Sequence, residues 1–148
     1  MSLKRLLLVE DNPHDELLTL RALRKVNLAN QVQVVRDGQQ ALDYLFGQGE
    51  FEHLAGAELP AVILLDMNLP RVGGLDVMAR VRADARTRLV PIVMLTSSDE
   101  QRYRLRSYEG GCNSFARKPL EFSELAQTVA QLGIYWMATN QPFENAHA

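Results

Sequence analysis

The sequence is poor in cysteine and aromatic residues, and neither sign of charge dominates it. Cys112 is the only cysteine among 148 residues, which excludes an intramolecular disulfide and a multi-cysteine metal site. Free cysteines are among the most buried residue types, so we expect Cys112 to be buried. The 16 Lys and Arg residues against 18 Asp and Glu residues give a net charge of −2. No basic stripe indicates a nucleic-acid partner, and no acidic block indicates a disordered tail.

The sequence also lacks a long apolar run. The first apolar segment, Leu6 to Val9, ends at two acidic residues and is too short for a signal peptide or a membrane span. We therefore expect a cytoplasmic protein without a membrane partner. What the chain does have is 47% hydrophobic residues, enough to build the core of one domain over residues 1–148. Residues 141–148 are expected to form a loose tail.

The most informative segment is residues 62–70, in which four apolar residues run directly into Asp66. A run that is apolar at every position is typical of a strand buried on both faces of a parallel sheet. Pro70 and the pair Gly73-Gly74 then predict a turn. Asp66 is therefore expected at the carboxyl end of a strand, which is where open parallel sheets bind their ligands.

Strands and helices alternate along the whole chain. The predicted strands cover residues 6–9, 31–36, 62–66, 91–95 and 113–117. The predicted helices cover residues 13–26, 41–46, 75–81, 99–109 and 125–136. Residues 47–59 show little periodicity and are predicted to form a surface loop. This alternation predicts an α/β fold, a doubly wound five-stranded parallel sheet in the flavodoxin-like order 2-1-3-4-5 with five helices.

Polar side chains follow four of these strands, and the predicted strand order brings them to one crevice. They are Glu10, Asp11, Asp66, Thr96 and Lys118. Each alone has a plainer interpretation as a turn, cap or surface residue. Three carboxylates in one crevice repel one another unless a cation compensates them, and oxygen ligands that leave room for phosphate suit Mg²⁺. A divalent ion, a lysine and a hydroxyl around a carboxylate predict phosphoryl transfer with Asp66 as nucleophile.

Taken in order, these motifs resemble those of the receiver domains of two-component response regulators, over nearly the whole chain. The motifs that carry the resemblance are Glu10-Asp11, Asp66 within Leu-Leu-Asp-Met-Asn-Leu-Pro, Gly73-Gly74, Thr96-Ser97, and Phe115 three residues before Lys118-Pro119. The resemblance implies a bacterial signalling protein in a phosphorelay. It also implies that the protein is not an enzyme beyond catalysing its own phosphorylation and dephosphorylation.

The resemblance implies a role for each acidic residue. Asp66 would accept a phosphoryl group from a histidine kinase. Mg²⁺ would be held by Asp11, Asp66 and the backbone carbonyl of Asn68, and Glu10 would act on the metal mainly through water. The first acidic position is Glu10, where many members of the family have aspartate.

The remaining site residues would sense the phosphoryl group. Thr96 and Lys118 would contact its oxygens, and Phe115 would change rotamer when it arrives. We also expect the Lys118–Pro119 peptide bond to be cis, because proline lowers the cost of the cis form to about 0.5–1 kcal/mol. A sharp turn there would aim the lysine into the crevice.

Three features narrow the resemblance to the single-domain regulators found beside bacterial phytochromes. They are Glu-Asp-Asn-Pro followed by Asp15, the motif Val35-Arg36-Asp37-Gly38, and the long loop with Gly49-Glu50-Phe51. The kinase partner would then be a bacteriophytochrome. A receiver without an output domain signals through its surface, so we expect a homodimer through helix 99–109, the fifth strand and the last helix, with Trp136 at its apolar end.

Two other classes of protein also place chemistry at this edge of such a sheet. A phosphohydrolase of the haloacid dehalogenase type also uses a nucleophilic aspartate, but it needs a second acid two residues later, where this chain has Asn68. A flavodoxin-like electron carrier needs a phosphate-binding loop after the first strand, where Glu10 and Asp11 would repel a flavin phosphate.

Overall fold

The computed structural model describes residues 4–97, 101–119 and 121–141, and in it five parallel strands form one sheet. The strands are β1 (Leu6–Val9), β2 (Val32–Val35), β3 (Val62–Asp66), β4 (Ile92–Thr96) and β5 (Ser114–Arg117). The helices are α1 (Pro13–Lys25), α2 (Gly38–Phe46), α3 (Gly74–Ala83), α4 (Gln101–Glu109) and α5 (Phe122–Ile134). The strand order is β2-β1-β3-β4-β5, which confirms the predicted fold.

Two hydrophobic layers cover the two faces of the sheet. Helices α1 and α5 pack on one face, where residues such as Leu18 and Val129 meet Leu64. Helices α2 and α3 cover the other face, where Val77 and Met78 are fully buried. All residues of β1, β3 and β4 are buried, as runs without alternation predict. Cys112 is also buried, as expected.

The helix starts position the chain at the carboxyl edge of the sheet. Asn12 caps α1, since its side chain accepts the backbone N–H groups of His14 and Asp15, and Pro13 occupies the first turn. Asp37 caps α2 in the same way. A Cβ at Gly38 would lie 1.8 Å from the carbonyl oxygen of Val72, so only glycine allows the β3–α3 loop to approach α2 so closely.

The segment after α2 differs from its prediction as a featureless loop. Gly49–Leu54 forms a 3-10 helix, and the ring of Phe51 packs edge-on against Tyr44 at a centroid distance of 5.2 Å. Leu54 also packs against the core. The segment consists of two short helical turns with a kink at Phe51, and turns so short are too brief to produce a detectable hydrophobic period, which is why the sequence pattern missed them.

The last helix also differs from its prediction. The α-helix ends at Ile134, and the chain continues as a π-helix over Tyr135–Thr139. Met137 is buried and Trp136 packs against the α1–α5 layer, whereas Tyr135 is 48% exposed. The wider π-helical turn therefore directs two of the three residues inward.

Two predicted features fall outside the described residues in whole or in part. The predicted helix 99–109 is observed from Gln101, and Asp99 is not among the described residues. Of the expected tail, 141–148, only Gln141 is described. In the described ranges, no helix combines the length and the apolar character that crossing a membrane requires.

Candidate functional site

Three carboxylates meet at the carboxyl edge of the sheet. Glu10 follows β1 directly and is buried, Asp66 is the last residue of β3, and Asp11 is exposed at the rim. One oxygen from each of the three lies within 4.8 Å of the others, close enough for a single cation to bridge them. The residues fit a hard divalent cation such as Mg²⁺, because all the side-chain ligands are oxygens and one of them faces solvent.

Lys118 provides the positive charge of this site. Its backbone N–H donates to the carbonyl of Thr96 over 2.7 Å, which continues the β4–β5 pairing and carries the lysine to the same edge. Its ammonium donates to Asp66 Oδ2 at 3.0 Å and to Glu10 Oε1 at 2.5 Å. The side chain is only 9% exposed, so these ion pairs lie largely out of water.

Burial and charge shift the pKa values of this pair. Burial raises the pKa of Glu10 to about 7, although the hydrogen bond and the charge of Lys118 lower it. For Lys118, burial lowers the pKa, but the hydrogen bond that the ammonium donates to Glu10 and the charges of Asp66 and Glu10 outweigh burial and raise the pKa overall. The ammonium therefore stays charged, while part of Glu10 is protonated at neutral pH in the metal-free protein.

The backbone around Asp66 is held tightly. Asp66 Oδ1 accepts the backbone N–H of Asn68 at 3.0 Å, which leaves Oδ2 facing Lys118. Gly74 begins α3 beside this turn, and its N–H donates to the carbonyl of Met67 at 2.9 Å. A Cβ at Gly74 would lie 2.4 Å from the carbonyl oxygen of Asp66, so a glycine is required at this position. The carboxylate thus has a fixed orientation before any ligand arrives.

Thr96 and Phe115 lie on one face of the sheet, in neighbouring strands. Phe115 pairs with Met94 in the register of β4 and β5, and Thr96 follows Met94 by two residues, so all three side chains point to the α2–α3 side. Thr96 is fully buried. Phe115 is partly buried, and the guanidinium of Arg104 lies 5.7 Å from its ring centroid.

One neighbour of the site was missed as a site residue, and one detail was wrong. The sequence indicates Asp15 only as part of a motif, yet its Oδ2 lies 3.1 Å from the ammonium of Lys118. The Asn12-Pro13 cap could have revealed this contact, because it places Asp15 in the first turn of α1 beside the strand ends.

The Lys118–Pro119 bond is trans, not cis as predicted. The trans form is intrinsically favoured, and Lys118 reaches the carboxylates with it.

The chain is similar to known receiver proteins along most of its length. The family model described as the response regulator receiver domain matches residues 6–130. Response regulator Rcp1 of Synechocystis sp. is 32% identical over 136 residues, which cover 92% of this chain and 90% of Rcp1. Its Mn²⁺-bound crystal structure superimposes with a TM-score of 0.86, at 30% identity, over 95% of this chain and 99% of that one.

Two further solved structures are similar. The phosphorylated cyanobacterial phytochrome response regulator RcpA has a TM-score of 0.88 and 33% identity over 97% of this chain and 100% of its own. The bacteriophytochrome response regulator RtBRR is 48% identical, with a TM-score of 0.76, over 96% of this chain and 85% of its own. These likenesses confirm the predicted resemblance to single-domain, phytochrome-associated regulators and leave the phosphohydrolase alternative without support. The chain belongs to the response regulator receiver domain family.

Proposed function

We propose that this receiver accepts a phosphoryl group on Asp66 from a histidine kinase and passes the signal on by changing its shape and its partners. The observation that carries the proposal is the contact of Lys118 with Asp66 Oδ2 at 3.0 Å, beside two further carboxylates. A nucleophilic carboxylate, a fixed ammonium and a set of oxygen ligands are the groups that phosphoryl transfer requires.

In the proposed reaction, a carboxylate oxygen of Asp66 forms a bond to phosphorus while the phosphorus–nitrogen bond to the histidine of the kinase breaks. The electron pair of that bond leaves with the imidazole nitrogen, which takes up a proton from solvent. Lys118 supplies a positive charge where the phosphoryl oxygens gather negative charge, and its ion pairs hold it there before the reaction begins. Water attack on the resulting acyl phosphate returns the protein to its starting state.

A divalent cation fits the acidic cluster, and we propose that it is Mg²⁺. Asp11, Asp66 and the backbone carbonyl of Asn68 would hold it, with Glu10 acting mainly through water. When bound, the cation would neutralise part of the charge on the transferred phosphoryl group. The similar regulator Rcp1 has a crystal structure in an Mn²⁺-bound form, which supports a divalent cation as a ligand of this chain.

The signal would leave the site through Thr96 and Phe115. A phosphoryl group on Asp66 offers the Thr96 hydroxyl a new acceptor, and movement of Thr96 would open space on the face that it shares with Phe115. Because Phe115 is only partly buried and lies in the edge strand β5, a new rotamer would alter the surface formed by α4, β5 and α5.

The similar proteins suggest the kinase partner, and the exposed apolar side chains of this surface suggest a second copy of the chain. The similarity to RcpA and RtBRR, which are phytochrome response regulators, supports a bacteriophytochrome as the kinase, acting in the cytoplasm. On α4, Leu105 and Tyr108 are 59% and 51% exposed, and Ile134 is 46% exposed near the end of α5. We therefore propose a homodimer through the α4–β5–α5 face, where apolar side chains stand among charged ones.

Mass spectrometry of the intact protein tests the phosphoacceptor. With acetyl phosphate and Mg²⁺, the wild type should gain the mass of one phosphoryl group, because Asp66 is oriented and compensated by Lys118. The Asp66→Asn variant should gain none, and EDTA should suppress labelling of the wild type. Equal labelling of Asp66→Asn and wild type would show that Asp66 is not the acceptor. Full labelling in EDTA would show that phosphorylation does not require a divalent cation.

Light scattering at high micromolar protein tests the dimer, with and without a phosphoryl mimic. Replacement of exposed Leu105 by serine should weaken the dimer at least tenfold, because interface energy concentrates in a few apolar anchors. Leu17→Ser is the matched control, since Leu17 is 54% exposed but lies on α1, outside this face. A monomer under every condition would contradict the dimer, and equal weakening by both variants would place the interface elsewhere.

A further inference from the structure

The ammonium of Lys118 has three N–H donors and three carboxylate partners. In addition to Glu10 and Asp66, it donates to Asp15 Oδ2 at 3.1 Å. A lysine has no more donors than these, so every one of them is used in the unphosphorylated protein. Asp15 is 26% exposed and belongs to α1, whereas Glu10 follows β1 and Asp66 ends β3.

The three partners differ in what happens to them when a phosphoryl group arrives. Phosphorylation turns the Asp66 carboxylate into an acyl phosphate, so negative charge moves from the carboxylate oxygens to the phosphoryl oxygens and the contact of Lys118 with Asp66 Oδ2 changes at that moment. Glu10 lies in the acidic cluster that fits the cation, and a bound cation competes with the ammonium for its charge. Asp15 lies outside that cluster, so its contact with Lys118 persists through the reaction.

The structure holds Asp15 firmly enough to serve as an anchor. Its backbone N–H donates to the side chain of Asn12 at 3.1 Å, in the cap that begins α1. The other end of the lysine is fixed by the hydrogen bond between its own N–H and Thr96. Lys118 is thus held at its backbone by Thr96 of β4 and at its ammonium by Asp15 of α1.

The space beside the lysine makes such an anchor necessary. A cavity of about 140 Å³ lies against Lys118 and Asp15, between α1 and the start of α5, and Pro119 and Phe122 also line it. Without a partner on the α1 side, the four-carbon side chain of Lys118 could swing into this cavity and leave Asp66. A displacement of only about 1 Å in a reacting group costs as much as 100-fold in rate.

We propose that Asp15 is a positioning residue that holds the ammonium of Lys118 against Asp66 during phosphoryl transfer. The inference rests on the proposed function, because it assigns a role within the same site. Asp15 acts through Lys118 alone: it binds neither the cation nor the phosphoryl group. It sets the rate of the chemical step and leaves the affinity for the cation nearly unchanged.

The test compares Asp15→Ala with Asp15→Asn in the full-length chain, using phosphoramidate as donor and saturating Mg²⁺. Asp15→Ala removes the acceptor, and its first-order labelling rate should fall about tenfold. Asp15→Asn keeps an amide oxygen that can accept the lysine N–H, and it should stay within about threefold of the wild type. The Kd for Mg²⁺, measured separately by calorimetry, should change less than threefold in both variants.

Glu16→Gln is the matched control. It also neutralises one acid in the first turn of α1, but Glu16 pairs with Arg36 and not with Lys118. Its rate should equal that of the wild type. The proposal is overturned if Asp15→Ala labels at the wild-type rate, if Asp15→Asn is as slow as Asp15→Ala, or if Asp15→Ala binds Mg²⁺ more than threefold more weakly than the wild type. Failure of the wild type to label at all would instead overturn the proposed function.

Discussion

Two cations stand at opposite edges of the sheet, and their surroundings differ completely. Lys118, at the carboxyl edge, has three carboxylate partners. Arg82 lies near the end of α3, at the amino edge, and among the described residues its guanidinium donates to neutral oxygens. These are the carbonyls of Gly111, Arg88 and Val90 and the side chain of Asn113, at 2.7–3.0 Å.

The pKa shifts of the two cations have opposite signs for this reason. Burial lowers the pKa of Arg82, and the nearby Cys112 offsets this only in part. For Lys118 the effect of burial is outweighed by Glu10 and Asp66, and its pKa rises. At the amino edge, the guanidinium of Arg82 donates hydrogen bonds to backbone carbonyls and so joins three segments of the chain. The carboxyl edge carries an excess of negative charge, which the proposed divalent cation would compensate.

The largest expected effects come from replacing each cation by methionine. Lys118→Met should lower the rate of phosphorylation by about 100-fold or more, because the charge that stabilises the transferred group is lost. It should also destabilise the metal-free protein, since buried carboxylates lose their partner, and Mg²⁺ should restore much of that stability. Urea unfolding with EDTA or Mg²⁺ measures the difference.

Arg82→Met should behave in the opposite way. It leaves several carbonyls at the amino edge without a donor, which should cost about 2–4 kcal/mol of stability, and Mg²⁺ should not recover it. Where the variant is still folded, it should be phosphorylated at the wild-type rate. If Mg²⁺ restores the stability of both variants, or of neither, the two edges of the sheet do not differ in this way.

A smaller effect is expected from pH. The pKa of Glu10 is raised by burial to about 7, above its ordinary value of 4.5. Between these two values the folded protein binds more protons at Glu10 than the unfolded chain does. The contribution of Glu10 to the stability of the metal-free protein should therefore be complete below about pH 4.5 and should be lost as the pH rises through about 7, a change of at most about 3 kcal/mol.

Urea unfolding in EDTA at constant ionic strength, from pH 4.5 to 7.5, measures this slope. Glu10→Gln, which cannot titrate, is the control and should lack the decline. A wild type that gains stability over this interval relative to Glu10→Gln would show that the Lys118 pairing, not burial, dominates the titration of Glu10.

The sequence was sufficient for the fold and for the main groups of the site because both depend on simple patterns. Uninterrupted apolar runs such as Val62–Leu65 mark strands buried on both faces, and in a parallel sheet the residues after them share one edge. Glu10, Asp66 and Lys118 could be placed together on this ground alone. Their ion pairs, at 2.5–3.0 Å, follow from the strand order.

What could not be predicted depends on small energies or on contacts between distant segments. The isomer of the Lys118–Pro119 bond rests on a difference of about 0.5–1 kcal/mol, which the surroundings decide. The 3-10 helix at residues 49–54 depends on Phe51 packing against Tyr44, and no periodicity reveals that. The link between Asp15 and Lys118 joins residues 103 positions apart. The Asn12-Pro13 cap places Asp15 in the first turn of α1, but the reach of its side chain to Lys118 depends on how α1 packs against α5.

The most direct test of Asp66 as the phosphoacceptor is to locate the phosphoryl group within the chain. Borohydride reduces an aspartyl phosphate to homoserine, which peptide mass spectrometry locates. After phosphorylation with acetyl phosphate and Mg²⁺, we expect homoserine at position 66 and at no other acidic position of the site. Homoserine at position 11 or 15, or a phosphorylated protein that yields none, would contradict it.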